Sequence, residues 1–213
     1  MTRMTNRDPS SDGGQKAGLC FTYQVRGSLY INVTNRCNAN CVFCGRKGDA
    51  VIYGYSLKMK ESDEPSADVY IWEIGDPRKY REIVFCGYGE PTIRWDVVKG
   101  IARQVKENGG LTRMNTNGHG SFINQRDIAP ELAGLIDSVS ISLNSSDPEQ
   151  YSALMNVNPA LHGEMIDFAL RAKKFAHVVM SVVGLQEVDR VAAKKLVTDK
   201  IGVEFREREY LGG

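Results

Sequence analysis

Short apolar runs rich in β-branched residues recur along the chain, and longer stretches of helical periodicity separate them. The strand-like runs are 29–34 (LYINVT), 82–86 (EIVFC), 111–115, 138–143 (SVSISL), 178–183 (VVMSVV) and 203–211. Between them, Pro65 and Ser66 open a helix that runs to about Gly75. Residues 94–108 have an amphipathic period that Gly109 and Gly110 stop. Further helices are expected at 127–136, from the cap at Ser146-Asp147 onward, at 159–176 and at 187–201. Residues 49–63 read as a polar excursion, and no internal repeat is evident.

Strands alternating with helices predict βα units around a parallel sheet with right-handed crossovers. Eight such units, in ~250 residues, close a barrel. Six predict an α/β fold that is a partial, TIM-like (βα)6 barrel, its parallel sheet open on one side. A polar, flexible leader is expected over 1–18 and a single domain over 19–213.

In this architecture the carboxyl ends of the strands carry the chemistry. CNANCVFC follows the first strand, GYGEP the second and TNG the third. In the fourth, Val139, Ile141 and Leu143 alternate with Ser140, Ser142 and Asn144. The apolar set is expected to face the helices and the polar set the lumen. The glycines of GYGEP allow a close backbone approach to a ligand. Carbonyls held there can accept hydrogen bonds from an ammonium group, with Glu90 adding charge.

Composition narrows the classes. The chain has 213 residues, with 27 Lys+Arg against 26 Asp+Glu, so it is neither a strongly basic nucleic-acid binder nor an acidic tail protein. No apolar run approaches the ~20 residues that span a bilayer. The first residues lack the apolar core of a secretory signal, so a cytoplasmic location is expected. Five cysteines, an odd number without a secretory signal, argue against a disulfide framework. Cys37, Cys41 and Cys44 are spaced C-x3-C-x2-C. Thiolates at these offsets can hold three corners of a [4Fe–4S] cluster, leaving the fourth iron for a ligand that is not protein. Structural zinc stands beside this reading, although such sites use a second Cys or His pair. His119, His162 and His177 are scattered. Unligated thiols are the third reading.

Together these residues resemble the radical S-adenosylmethionine (SAM) superfamily. The resemblance rests on the cysteine motif with Phe43 before its last Cys, Gly89-Glu90-Pro91 after the second strand, SISLN at 140–144 and SVVGLQE at 181–187. It covers about residues 28–211. VFCGYGEPT (84–92) with MNTNGHG (114–120) is similar to the small radical SAM proteins called TatD-linked. These are named after the metal-dependent nucleases often associated with them. The resemblance implies that Cys37, Cys41 and Cys44 hold a [4Fe–4S] cluster whose open iron is chelated by SAM. One electron then cleaves SAM to methionine and a 5′-deoxyadenosyl radical, which abstracts hydrogen from a substrate. It implies that Gly87, Tyr88, Gly89 and Glu90 meet the methionine ammonium. Ser142 and Asn144 lie near the ribose and carboxylate, and Phe43 (through its backbone) and Val183 meet adenine. Related activating enzymes place a Lys or Arg on the fourth strand for the carboxylate. Asn144 is neutral, so Arg113, Arg206 and Arg208 become the candidates.

Cys20 and Cys86 are too few for a second cluster, so Cys86 is expected to be a small buried hydrophobe and His119 a loop residue. The charged REREY run could present Glu207 and Glu209, or Arg206 and Arg208, to a polar substrate. The resemblance implies an electron donor such as flavodoxin or ferredoxin and a functional link to a TatD-type nuclease. A small-molecule or nucleotide substrate is expected, or a partner protein if the chain is a glycyl-radical-type activase. A deazaguanine-synthase-like enzyme is weaker, because Gly45 and Arg46 follow Cys44 where those proteins place a magnesium-binding Thr. The non-enzyme alternative is a zinc-binding module.

Overall fold

The computed structural model describes residues 20–45, 51–52 and 54–209; the expected leader at 1–18 lies outside them. Strands β1 (Thr22–Val25) and β2 (Ser28–Asn32) form an antiparallel hairpin. Its turn residues Arg26 and Gly27 both have positive φ, 48° and 81°, which a tight two-residue hairpin turn requires. A small separate pair follows, β3 (Val51–Ile52) with β4 (Tyr55–Ser56). The rest of the main sheet is β5 (Ile83–Cys86), β6 (Thr112–Thr116), β7 (Ser138–Ser142), β8 (His177–Val183) and β9 (Glu204–Arg208). Its order is β1-β2-β5-β6-β7-β8-β9, parallel from β2 onward. The edge strands β1 and β9 do not meet among the described residues, so the barrel is open.

Helices α1 (Ala67–Ile74), α2 (Trp95–Glu107), α3 (Gly120–Asn124), α4 (Pro148–Met155), α5 (Ala160–Ala172) and α6 (Arg190–Lys195) complete the described fold. Helix α6 continues as a π-helical segment, Leu196–Ile201. One core cluster joins the outer face of the sheet to the helices. Ile31, Ile83, Phe85, Met114, Val139, Ile141, Met180 and Val182 pack in it with Val98, Ile101, Val105, Phe168 and Val197. The alternation read in the fourth strand holds: Val139, Ile141 and Leu143 are fully buried in that core. Ser140 and Ser142, half-buried, face the other way.

Four expectations need correction. Strand β1 was not anticipated; TYQV is short and has a polar Gln24, and it becomes a strand only because β2 offers it an edge. The polar excursion contains β3 and β4, and it buries Leu57 and Met59. The helix at 127–136 is a single 3-10 turn, Pro130–Leu132. The Asp127 side chain accepts the Ala129 N–H, and Gly134 at φ 70° stops the turn from propagating. Helix α3 forms upstream instead. Helix α6 starts at Arg190, not at 187, because Asp189 caps it by accepting the Ala192 N–H. No helix among the described residues is long and apolar enough to cross a membrane.

Candidate active site

The cysteine loop leaves the end of β2 and lies against the last turn of α4. Four carbonyls at a helix C-terminus have no intrahelical partner. Here two of them are used by the loop: Asn40 N–H donates to the Met155 carbonyl (3.0 Å) and Val42 N–H to that of Leu154 (2.9 Å). Asn156, left-handed at φ 51°, ends the helix at that point. Cys37, Cys41 and Cys44 are each half-buried, and Cys37, Cys41 and Phe43 rest on the core. The Cys37 Sγ accepts from Ala39 N–H at 3.4 Å, and Cys41 Sγ lies 3.4 Å from Met155 Sδ. Among the described residues no three His, Cys, Asp or Glu side chains converge closely enough for a single metal ion. A cuboidal cluster takes one thiolate per iron and so needs the sulfurs further apart.

The GYGEP loop after β5 is joined to this loop through backbone. Gly89 N–H donates to Thr34 C=O (3.0 Å) and Glu90 N–H to Arg36 C=O (2.8 Å). A Cβ on Gly89 would overlap both of those carbonyl oxygens, and one on Gly87, at φ 125°, would overlap Asn32 Oδ1. Glycine is required at both positions by close approach. Glu90 is buried, and its carboxylate accepts four hydrogen bonds. Thr92 N–H (3.2 Å), Thr92 Oγ1 (2.7 Å) and Thr116 Oγ1 (2.8 Å) meet Oε1, and Asn117 N–H (2.7 Å) meets Oε2. Burial pushes its pKa up and the four donors pull against that. Glu90 therefore enters the site through the loop it holds, its charge spent on protein donors. The Tyr88 ring packs with Tyr23 and Leu57 in a small second cluster.

On the opposite side, Ser142 Oγ accepts from Arg208 Nη2 at 3.3 Å, and Val183, buried, is in register with Arg208. Asn144 follows β7 in a left-handed conformation (φ 58°) and donates from Nδ2 to Met155 Sδ at 3.0 Å. Arg208 is exposed overall; desolvation of its guanidinium lowers its pKa, while Cys86 and Cys41 act to raise it. Of the three guanidinium candidates, Arg113 is held by Glu82 (3.1 Å), Asn115 Oδ1 (2.6 Å) and Tyr30 OH (3.2 Å). Arg206 pairs with Glu204 (3.2 Å), so Arg208 alone of the three stands beside Ser142.

Two residues differ from expectation. Cys86 is not a core hydrophobe: it is half-buried, and its Sγ accepts from the lumen residue Asn115 (Nδ2, 3.4 Å). His119 is wholly buried in a side-chain network. Asn117 Nδ2 donates to Asn38 Oδ1 (2.8 Å), and Asn38 Nδ2 donates to His119 Nδ1 (2.9 Å). His119 Nε2 meets Tyr151 OH at 2.7 Å. Burial lowers the His119 pKa to about 4, so the ring is neutral. With Nδ1 accepting, its proton lies on Nε2 and is donated to Tyr151. Asn38, His119 and Tyr151 come from the cysteine loop, the loop after β6 and α4. Sequence separations of 32 to 81 residues left no local signal for this network.

Asn32 Oδ1, Asn144 Oδ1 and the Tyr88 hydroxyl are buried without a protein hydrogen bond. Each such orphan costs ~1–3 kcal/mol until a partner satisfies it. All three border the cysteine loop or the glycine loop beside it. A ligand bearing N–H donors, seated next to a thiolate-held cluster, fits this set of atoms.

An open barrel with its chemistry gathered at the strand ends is an enzyme frame, and the donor set here suits an iron–sulfur cluster with an amine-bearing ligand. The chain belongs to the radical SAM superfamily, whose family model matches residues 31–195. Members of this family use a [4Fe–4S] cluster and S-adenosylmethionine. It is 30% identical over 147 residues to a GTP 3′,8-cyclase of Limosilactobacillus fermentum, covering 68% of this chain and 42% of that protein. A GTP 3′,8-cyclase of Aquifex aeolicus is 28% identical over 187 residues, 86% of this chain and 56% of the relative. The chain thus spans about half the length of these relatives. Among solved structures, Streptococcus suis SuiB bound to S-adenosylmethionine superposes with a TM-score of 0.65 at 16% identity, over 88% of this chain and 41% of SuiB. TYW1 with a lysine-pyruvate adduct bound gives 0.64 at 14% identity, over 87% and 65%. At these identities the likeness establishes the fold.

Proposed function

We propose that this radical SAM protein is an enzyme acting on a small polar molecule or nucleotide held in the barrel lumen, directly below the strand-end loops. When bound, the cluster and SAM supply an organic radical that abstracts hydrogen from the substrate. The chain's own residues bind and orient. Cys37, Cys41 and Cys44 hold the cluster. Asn32 Oδ1 and backbone carbonyls of the Gly87–Gly89 loop accept from the amino group of SAM, and Asn144 Oδ1 faces its ribose. Arg208, positioned by Ser142, pairs with its carboxylate. Val183 and the backbone at Phe43 cover the adenine. The observation that carries this reading is the pair of partnerless carboxamide oxygens at the strand ends, Asn32 Oδ1 against Gly87 of the glycine loop and Asn144 Oδ1 on the residue held by Met155, which also touches Cys41.

The GTP 3′,8-cyclase relatives support a nucleotide among the possible substrates. The same reading includes an electron donor of the flavodoxin or ferredoxin kind and a reducing, cytoplasmic setting. The similarity of 84–92 and 114–120 to TatD-linked proteins supports a functional link to a nuclease of that type. Anaerobic reconstitution followed by dithionite and SAM tests the chemistry. The reading requires 5′-deoxyadenosine from wild type and none from Cys41→Ala, by mass spectrometry. Zinc in place of iron after reconstitution would overturn it.

A further inference from the structure

The opposite end of the lumen holds a second concavity that the SAM site does not use. Its volume is about 370 Å³, and six strands plus the residues leading into β5 contribute to its wall. Four arginines line it: Arg26 in the β1–β2 turn, Arg81 before β5, Arg113 on β6 and Arg206 on β9. Glu82 is the one carboxylate in its lining, and it is taken up by Arg113. Among the described residues no carboxylate pairs with Arg26 or Arg81. The two are held near each other because Arg81 N–H donates to the Gly27 carbonyl of the turn at 2.8 Å. Ser138 and Ser140 add hydroxyls from β7 that have no hydrogen-bonded protein partner among the described residues.

We infer that this floor binds the phosphate group of a phosphorylated substrate, with Arg26, Arg81 and Arg206 as its ligands. The inference rests on the proposed radical function and names the substrate class of that same lumen. Arg26 and Arg81, like charges without a carboxylate partner among the described residues, repel each other across one concavity whose wall focuses their field, and Arg206, paired with Glu204 at 3.2 Å on the edge strand, brings a third guanidinium to it. An anion relieves that repulsion. A guanidinium fork matches phosphate oxygens two at a time, which suits this ligand better than a single carboxylate. Geometry adds a length. Ser138 lies at the floor and Ser142 beside Arg208 at the mouth. Four strand residues at ~3.3 Å each separate them by ~13 Å. A molecule with its phosphate on the floor reaches the mouth over those ~13 Å, within the span of a nucleotide. The wall between is polar: Arg113 donates to Asn115 (2.6 Å), and Asn115 donates to Cys86 (3.4 Å).

The test is calorimetric titration of the full chain with pyrophosphate as the probe, in wild type, Arg81→Gln, Arg206→Gln and Arg103→Gln, an exposed arginine of α2. The expected result is one saturable site in wild type, weakened about tenfold in Arg81→Gln and Arg206→Gln and unchanged in Arg103→Gln. Equal affinity in all four proteins, or no binding at millimolar pyrophosphate, overturns the inference. Circular dichroism melts of the variants show whether lost binding reflects lost folding, and the two single variants give independent readings. Iron content measured on the same samples separates the two proposals. Iron-loaded protein that ignores pyrophosphate rejects the phosphate floor. Protein that binds pyrophosphate but takes up no iron rejects the cluster reading.

Discussion

At the strand ends, Asn32 and Asn144 hold buried carboxamide oxygens that lack donors. At the other end of the same strands, Arg26 and Arg81 hold guanidinium groups with no carboxylate partner among the described residues. The mouth is a set of interlocked loops. Glu90, Asn117, Asn38 and His119 tie three of them together with buried hydrogen bonds. The floor sets two exposed, unpaired cations, Arg26 and Arg81, beside the ion-paired Arg113 and Arg206 on a rigid sheet. The difference is one of cost. Burying acceptors without partners destabilises the bare chain, so the mouth must be held by a network strong enough to bear it. Exposed cations stay hydrated, so the floor needs only the sheet to place them.

Substitutions separate the two ends. The largest effect is expected from Gly89→Ala, whose methyl would overlap the Thr34 and Arg36 carbonyls. A loss of ~3 kcal/mol or more in stability is expected, with failure to retain iron, read by denaturant melts and iron assay. Glu90→Gln should follow at ~2–3 kcal/mol, because its amide NH2 would face a donor that the carboxylate now accepts. A melt within 0.5 kcal/mol of wild type, a magnitude typical of neutral surface changes, would show that Glu90 does not hold the loop.

One separable part of the pH dependence of the mouth comes from His119. Its pKa falls from 6.5 to about 4 on folding. Between those values the unfolded chain binds the proton and the folded chain does not, so stability falls as pH drops below 6.5 and the loss levels off near 4. By pH 5 the loss is ~2 kcal/mol. Urea midpoints at pH 7 and pH 5 should show it in wild type, and that part of the slope should vanish in His119→Gln. Arg208→Ala should weaken SAM about tenfold in KM with a smaller change in kcat, as expected for removing one charge-assisted contact. The smallest effect belongs to the floor. Arg81→Gln should change stability by no more than ~0.5 kcal/mol and in the stabilising direction, because it removes a repelling charge. A loss above ~1 kcal/mol would mean that the floor is structural and the contrast false.

The order of strands and helices, the open parallel sheet and the outward face of the fourth strand were legible in the sequence, because they follow from period and from turn residues local to each element. So were the three cysteines and the glycine loop, since C-x3-C-x2-C and GYGEP are contiguous motifs at strand ends. Strand β1 was not legible: four residues with a central polar position become a strand only when an edge is offered. The missing helix at 127–136 shows the reverse, helical composition overruled by Asp127 and Gly134. The particular work of the site residues was decided in three dimensions. Glu90 carries a charge that motif reading sends to a ligand, and the fold consumes it with donors from Thr92, Thr116 and Asn117. His119 reads as a loop residue and becomes a buried neutral clamp. Arg26, Arg81 and Arg206 are unremarkable in sequence and converge because strand order brings a turn, a strand start and an edge strand to one floor. Local pattern fixes which elements form, since each depends on neighbours a few residues away. Which polar atoms end up satisfied depends on partners tens of residues distant, and only the packed sheet brings those together.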